Sequence, residues 1–251
     1  MYTKSLLWTF VTGIFALTTA APLVRRAPAT VHTKCTAPGT FALTFDDGPF
    51  NQTWSLIKTL NQENIKATFF INGNNYANIE QDSVSTPDGD KTYLDHLRFM
   101  HQSGHLIGSH TYEHKVLTGL SETEIQRQMN TLSDIVYKTV NARPKYMRPP
   151  TGAYDDTVLA TLGNLGYEVA NWDIDPKDYE SYDLQSKQAI FDSYLNQETN
   201  NPPTSAHISL MHDVHPQTVP ELVPWVIKQV RAKGYKFATV AECLNDSNPY
   251  H

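Results

Sequence analysis

The sequence is sparing in cysteine, free of long basic runs and, beyond its first twenty residues, free of long apolar segments. Each shortage excludes something. Two cysteines in 251 residues allow at most one bridge. Without a basic stretch, and with a formal charge of −6, nucleic acid and anionic membrane are poor partners. Without an internal apolar run there is no candidate membrane span. No internal repeat or low-complexity tract interrupts the chain. The polar end, Asn245 to His251, is unlike a lipid-anchor signal.

What is present begins with an export signal. Lys4 precedes an apolar stretch through Leu17, and small residues follow at Thr18-Thr19-Ala20-Ala21. This pattern predicts a signal peptide over residues 1–20, cut near Ala20 or Ala21. Arg25-Arg26 then reads as a dibasic processing site ending a pro-segment at 21–26. Loss of Lys4, Arg25 and Arg26 and no acids moves the formal charge from −6 to −9. In an oxidising compartment Cys35 and Cys243 are expected to form a disulfide joining the ends of the mature chain. The sequons at Asn51 and Asn245 permit glycosylation. The protein is expected to be secreted, extracellular or in the cell wall.

From residue 35 to 244 short apolar runs alternate with amphipathic ones. Strands are predicted at 41–45, 67–71, 105–109, 146–148, 167–172, 207–211 and 236–238. Helices are predicted at 53–62, 93–102, 121–140, 155–165, 185–198, 216–232 and 240–244, the third opened by a capping box at Ser121. The acids of 85–90 do not have calcium-loop spacing and read as plain loop. Repeated strand–helix units in one domain predict a parallel, barrel-like sheet.

The chemistry-bearing residues follow the strands. Asp46 and Asp47 follow the first, in Thr44-Phe45-Asp46-Asp47-Gly48-Pro49, and Gly48-Pro49 breaks the chain straight after. His110 and His114 follow the third, Arg148 the fourth, Asp173, Asp175 and Asp178 the fifth, His212 and Asp213 the sixth. In a βα barrel these strand ends share one face, where catalytic groups gather. Adjacent carboxylates repel unless a cation or proton intervenes. His110 and His114, taken as one helical turn, make two ligands on one side. With one carboxylate of the pair they complete a three-ligand set with an open position, the pattern of catalytic zinc. His101 and His105 share that spacing, but Gly104 between them should turn the rings apart. Hydrolysis also needs a base, an acid and an oxyanion donor. The second aspartate can be the base, His212 the acid, Arg148 the group that keeps the base ionised, and the Thr151 N–H the donor. Spacing alone does not order Asp46 and Asp47. A phosphoesterase would usually want two ions, and ligands for only one can be assembled; a sugar-binding module would need no such set.

In order, Thr-Phe-Asp-Asp-Gly-Pro, Ser-His-Thr-Tyr-Glu-His, Arg-Pro-Pro-Thr-Gly, Asp-Ile-Asp-Pro-Lys-Asp-Tyr and Leu-Met-His-Asp resemble the five motifs of the polysaccharide deacetylases of carbohydrate esterase family 4. The likeness is greatest to secreted fungal chitin deacetylases. The resemblance implies a single-domain distorted (β/α)7 barrel over about 35–244. It implies removal of acetyl groups from N-acetylglucosamine residues of chitin or chito-oligosaccharides, acetylxylan and peptidoglycan being alternative substrates and a chitin-binding module the non-enzyme alternative. One divalent ion is implied, zinc first and cobalt second, in a monomer. Carried over, Asp46 is the base, Asp47, His110 and His114 the ligands, and Arg148 the residue that orients Asp46. His212 is the acid, tuned by Asp175 in the first instance and Asp178 in the second. Thr151 supplies the oxyanion N–H, Leu210 lines the acetyl pocket, and Tyr179 faces substrate. Two departures bear on substrate preference: Thr151 stands where an aromatic is usual, and Tyr179 where Trp is common.

Overall fold

A computed structural model describes residues 26–180 and 183–251. The expected signal peptide, and the pro-segment apart from Arg26, lie outside the described residues. The chain opens with a two-residue strand β1 (Val31–His32), followed by β2 (Thr40–Asp46), helix α1 (Thr53–Gln62) and β3 (Thr68–Ile71). An antiparallel hairpin, β4 (Ser83–Thr86) and β5 (Gly89–Thr92), leads to α2 (Tyr93–Gln102) and β6 (Leu106–Ser109). Then come α3 (Glu122–Val140), β7 (Tyr146–Met147), α4 (Asp156–Leu165), β8 (Glu168–Ala170), α5 (Leu184–Leu195), β9 (His207–Ser209), α6 (Val223–Ala232), β10 (Lys236–Ala238) and α7 (Val240–Cys243).

Apart from the hairpin every strand pair is parallel, in the order β1-β8-β7-β6-β3-β2-β10, with β9 also on β2. The central strand β2, Thr-Phe-Ala-Leu-Thr-Phe-Asp, is buried along all but its first residue, as a strand covered on both faces must be. The sheet curls but does not close. Beyond β8 the chain meets β9 through the isolated bridge Ile174–Ser209 and a few bonds of Asp173 and Ile174, not through a paired strand. This is the distortion of the barrel, and it leaves one side of the cleft to be built by loops.

Several expectations need correction. Residues 83–92 form a hairpin rather than plain loop; Val84 is the one apolar residue in its strands, too few to give an apolar alternation to read. β1 extends the sheet before residue 35, and the tail beyond 244 packs back: the Ile107 N–H donates to Tyr250 Oη (3.0 Å) and the His251 N–H to the Arg143 carbonyl (3.0 Å). The Ser121 box is half made. Its hydroxyl accepts from the Glu124 N–H, but the Glu124 carboxylate turns instead to Arg127 and Gln128. The helix expected over 216–232 starts as a wide turn at Thr218–Leu222, because Pro220 and Pro224 have no N–H to give to regular α-helical bonds.

At the strand starts, Cys35 and Cys243 are bonded to each other. Here too lies Asp173. It accepts from His207 Nδ1 (2.7 Å) and the Ile208 N–H (2.8 Å), so it serves the foot of the barrel and not the cleft. His105 is buried with Nδ1 accepting from the Ala67 N–H (3.1 Å), whereas His101 packs on the Tyr250 ring, so the two rings do diverge.

Candidate active site

At the strand ends a cleft of about 450 Å³ is lined by Asp46, Asp47, His110, His114, Leu210 and His212, with Thr151, Trp172, Tyr76, Tyr179 and His215 at its walls. The residues expected from the sequence thus meet, apart from Arg148, Asp178 and Asp213, which are buried behind the lining, and Asp173 and Asp175. Asp46 ends β2 and is 2 % exposed. Arg148, fully buried, donates from Nη1 to Asp46 Oδ1 (2.8 Å) and to Thr44 Oγ1 (2.7 Å). Its other nitrogens are spent on the carbonyls of Ala170 (2.7 Å) and Asn171 (3.0 Å), so the guanidinium is fixed before it meets the carboxylate. Burial raises the pKa of Asp46, against the pull of Arg148 and His212. A raised carboxylate is a better proton acceptor than an ordinary one.

The neighbouring Asp47 has a left-handed backbone (φ 73°), which turns its side chain away from Asp46 towards the histidines. Its Oδ1 lies 3.5 Å from His110 Nε2 and 3.2 Å from His114 Nε2, and one ligand atom from each of the three lies within 4.8 Å of the others. Ligands about 2.1 Å from a tetrahedral ion stand roughly 3.4 Å apart, so the two Asp47–histidine distances suit a small divalent cation. Two further observations fit a cation. Asp47 Oδ1 is buried without a hydrogen-bond partner. His110 Nδ1 donates to the Arg148 carbonyl (2.7 Å), which leaves a lone pair on Nε2 facing Asp47. Burial pushes His110 down to about 3, so the ring is neutral, as a ligand must be.

The two histidines do not lie on a helical turn. Residues 110–114 form a loop with left-handed Thr111 (φ 70°) and His114 (φ 52°), and this backbone, not a helix, brings the rings to 4.9 Å.

Across the cleft His212 Nδ1 donates to Asp178 Oδ1 (2.7 Å), and the His212 N–H and Thr218 hydroxyl donate to Asp178 Oδ2 (2.8 and 2.7 Å). Burial alone would lower His212. The bond and charge of Asp178, with the charges of Asp46 and Asp47, outweigh it and lift the ring to about 9. Burial likewise opposes the charged form of Asp178, but the His212 and Thr218 bonds hold its carboxyl below the usual range. The first choice from sequence, Asp175, does not reach His212. It accepts from the Lys177 N–H (2.8 Å) and from Tyr179 Oη (3.1 Å). Asp178 wins because the left-handed Lys177 (φ 56°) turns the chain inward just before it. Tyr179 packs edge-on against the His212 ring at 5.4 Å. Thr151, also left-handed (φ 61°), sits at the rim in the turn Pro150–Gly152, and Leu210 is buried in the wall. Sequence reasoning passed over Tyr76, Trp172 and His215. Trp172 ended one predicted strand and His215 followed another, and that was the available signal; Tyr76 had none.

Residues 33–170 match the polysaccharide deacetylase family. A chitin deacetylase of Colletotrichum lindemuthianum is 40% identical over 232 residues, covering 92% of this chain and 90% of that one. A chitin deacetylase of Pestalotiopsis sp is 39% identical over 92% of this chain and 73% of its own length. The solved structure of the Colletotrichum lindemuthianum enzyme superimposes with a TM-score of 0.80 at 38% identity, covering 90% of this chain and 96% of the other. The chain belongs to the polysaccharide deacetylase family, and is a hydrolase with its fold.

Proposed function

We propose that the protein is a chitin deacetylase that hydrolyses the acetamide of N-acetylglucosamine residues, releasing acetate and leaving free amines, with zinc held by Asp47, His110 and His114. The observation that carries this reading is one cleft with an Arg-fixed carboxylate on one side and an Asp-fixed imidazole on the other, about a three-ligand set. The relatives named as chitin deacetylases, at about 40% identity over most of both chains, supply the substrate.

The bound ion would polarise the acetamide carbonyl and acidify the attacking water. Asp46, held by Arg148, takes the proton from that water. The Thr151 N–H is the donor assigned to the oxyanion. His212 gives the proton on Nε2 to the departing amine, while Asp178 keeps the other ring proton on Nδ1. Leu210 receives the acetyl methyl, and Trp172, Tyr76 and Tyr179 offer faces to the sugar. The polymer is neutral before reaction and cationic after it, which suits an acidic protein. Export is read from residues 1–20, and among the described residues no helix is long and apolar enough to cross a membrane. Asn51 and Asn245 are exposed, as glycosylation would require.

Acetate release from chitin oligomers tests the roles. Asp46→Asn and His212→Ala should each lose about 10²–10⁴-fold in kcat and keep one zinc per chain by elemental analysis. Asp47→Ala should lose the zinc. Rates near wild type in the first two, with zinc bound, would remove these residues from the mechanism. A relative in Arthroderma benhamiae, 36% identical over 84% of this chain and 45% of its own length, is named a probable peptidoglycan-N-acetylglucosamine deacetylase. Peptidoglycan is therefore assayed beside chitin and acetylxylan, and faster turnover on it would reassign the substrate.

A further inference from the structure

We infer that Gln128, on the buried side of α3, is a positioning residue for the metal site, because it holds the loop that carries His114. The inference rests on the metal reading above and concerns a residue that touches neither the ligand atoms nor the cleft.

His110 and His114 are held in different ways. The His110 ring is fixed through its own second nitrogen, which donates to the Arg148 carbonyl (2.7 Å). The His114 ring is 31 % exposed, and its one close polar neighbour among the described residues is Asp47 (3.2 Å). Its position is therefore inherited from its backbone. That backbone is strained. Two residues of the loop, Thr111 and His114, have positive φ, and such conformations cost about 1–3 kcal/mol each unless the surroundings enforce them. A β-branched threonine there is a pronounced outlier.

The enforcing groups can be named. Asn72 Nδ2 donates to the carbonyls of His110 (2.6 Å) and Thr111 (2.8 Å), holding the first half of the loop. Beside the Gly73 and Asn74 N–H groups, which donate to the Tyr112 carbonyl (3.0 and 2.7 Å), the second half is held by Gln128. Its side-chain Oε1 accepts from the Glu113 N–H (2.9 Å), its Nε2 donates to Glu113 Oε2 (2.7 Å), and its backbone carbonyl accepts from the Tyr112 N–H (3.1 Å). Gln128 is fully buried. A glutamine so placed must have its polar atoms satisfied, so the Glu113 peptide has one favoured position. That peptide is directly followed by His114. Outside, Arg127 and Lys115 close on Glu113 (2.6 and 3.0 Å) and fix the carboxylate that receives Nε2. Partners that orient metal ligands from behind typically matter by about 10–100-fold in metal affinity.

The test is zinc affinity, measured on the purified full-length protein by competition with a chromophoric chelator, beside thermal unfolding of the zinc-free form. Gln128→Met keeps the volume and removes all three side-chain bonds, two to Glu113 and one to Glu124 (3.2 Å). It should weaken zinc binding about 10–100-fold, in excess of any effect of Asn61→Ala, a polar change remote from the loop. Gln128→Glu sets a carboxylate against Glu113 and should be as weak or weaker. Gln128→Glu combined with Glu113→Gln exchanges donor and acceptor at residue 113 but leaves Glu124 facing the new carboxylate, and should recover part of the affinity. Unchanged zinc affinity in Gln128→Met, in a wild-type background that binds one zinc, overturns the inference. So does a double variant no better than Gln128→Glu alone. A merely structural role would lower the unfolding temperature of the zinc-free protein and leave zinc affinity in the folded protein as it was. Failure of the wild type itself to bind zinc would strike the metal reading instead, so the two failures are distinguishable.

Discussion

At the scale of single residues the cleft contains two carboxylate–cation pairs set to opposite purposes. Arg148 faces Asp46, and burial still raises the carboxyl, which favours taking a proton. Asp178 faces His212 and raises the ring to about 9, which favours keeping a proton until it is needed. An acid that must be protonated loses activity as pH rises through its pKa. The alkaline limb of kcat should therefore lie above the ordinary imidazole value near 6.5. Removing the charge with Asp178→Asn should move that limb down, with activity falling about tenfold or more at pH 8 and little at pH 6. Asp175→Asn should leave the limb in place, since Asp175 is occupied with Tyr179 and Lys177. Stability follows the same sign. A folded-state pKa raised from 6.5 to about 9 contributes stability that is full below about 6.5 and lost as pH rises through 9. The thermal midpoint should decline across that window in the wild type and decline less in Asp178→Asn.

At the scale of elements, the end of β2 depends on close packing that only glycine permits. A Cβ at Gly48 would lie 2.4 Å from Asp213 Oδ1 and 2.5 Å from Oδ2. The Asp213 carboxylate cannot retreat easily, because it is buried and bonded to the Thr53 hydroxyl at the head of α1. The turn cannot retreat either, since the Gly48 carbonyl accepts from the Asn72 N–H (2.9 Å). Gly48→Ala should cost about 1–3 kcal/mol in a denaturant melt and weaken zinc binding, because Asp47 is the preceding residue. Gly89→Ala, whose Cβ would meet nothing within 4 Å, should leave zinc binding alone. Much at this scale was legible beforehand. Helices 53–62 and 93–102 have the ends read from their apolar spacing and from Ser103-Gly104, and the strand-end clustering of ionisable groups located the cleft. What was not legible turns on backbone angles that spacing does not encode. The 110–114 segment has helical spacing but left-handed residues, and Asp175 and Asp178 are separated in role by the φ of Lys177. The hairpin 83–92 was invisible because a largely exposed ribbon, with Val84 as the one apolar residue of its strands, shows no apolar face.

At the scale of the molecule, the parallel sheet puts stability and chemistry at opposite ends of the same strands. β2 runs seven residues from Thr40 to Asp46, about 20 Å at a strand rise of roughly 3.3 Å per residue. Its far end carries Asp46, the proposed base, and leads into Asp47, the proposed metal ligand. Before its near end lies Cys35, bonded to Cys243 across a sequence separation of 208, with the N–H groups of Thr36 and Ala37 both donating to the Cys243 carbonyl (2.9 Å each). The bridge therefore joins the first and last turns of the fold where β10 docks on β2, and touches nothing in the cleft. Closing so long a loop restricts the unfolded chain and stabilises by about 2–5 kcal/mol. Cys35→Ala and Cys243→Ala should lower the denaturant midpoint by similar amounts, and the double variant by no more than either alone, because each removes the same constraint. Below the melting transition, zinc affinity and kcat on chitin oligomers should match the wild type. A fall in zinc affinity in a folded Cys variant would mean that the two ends of β2 are mechanically coupled.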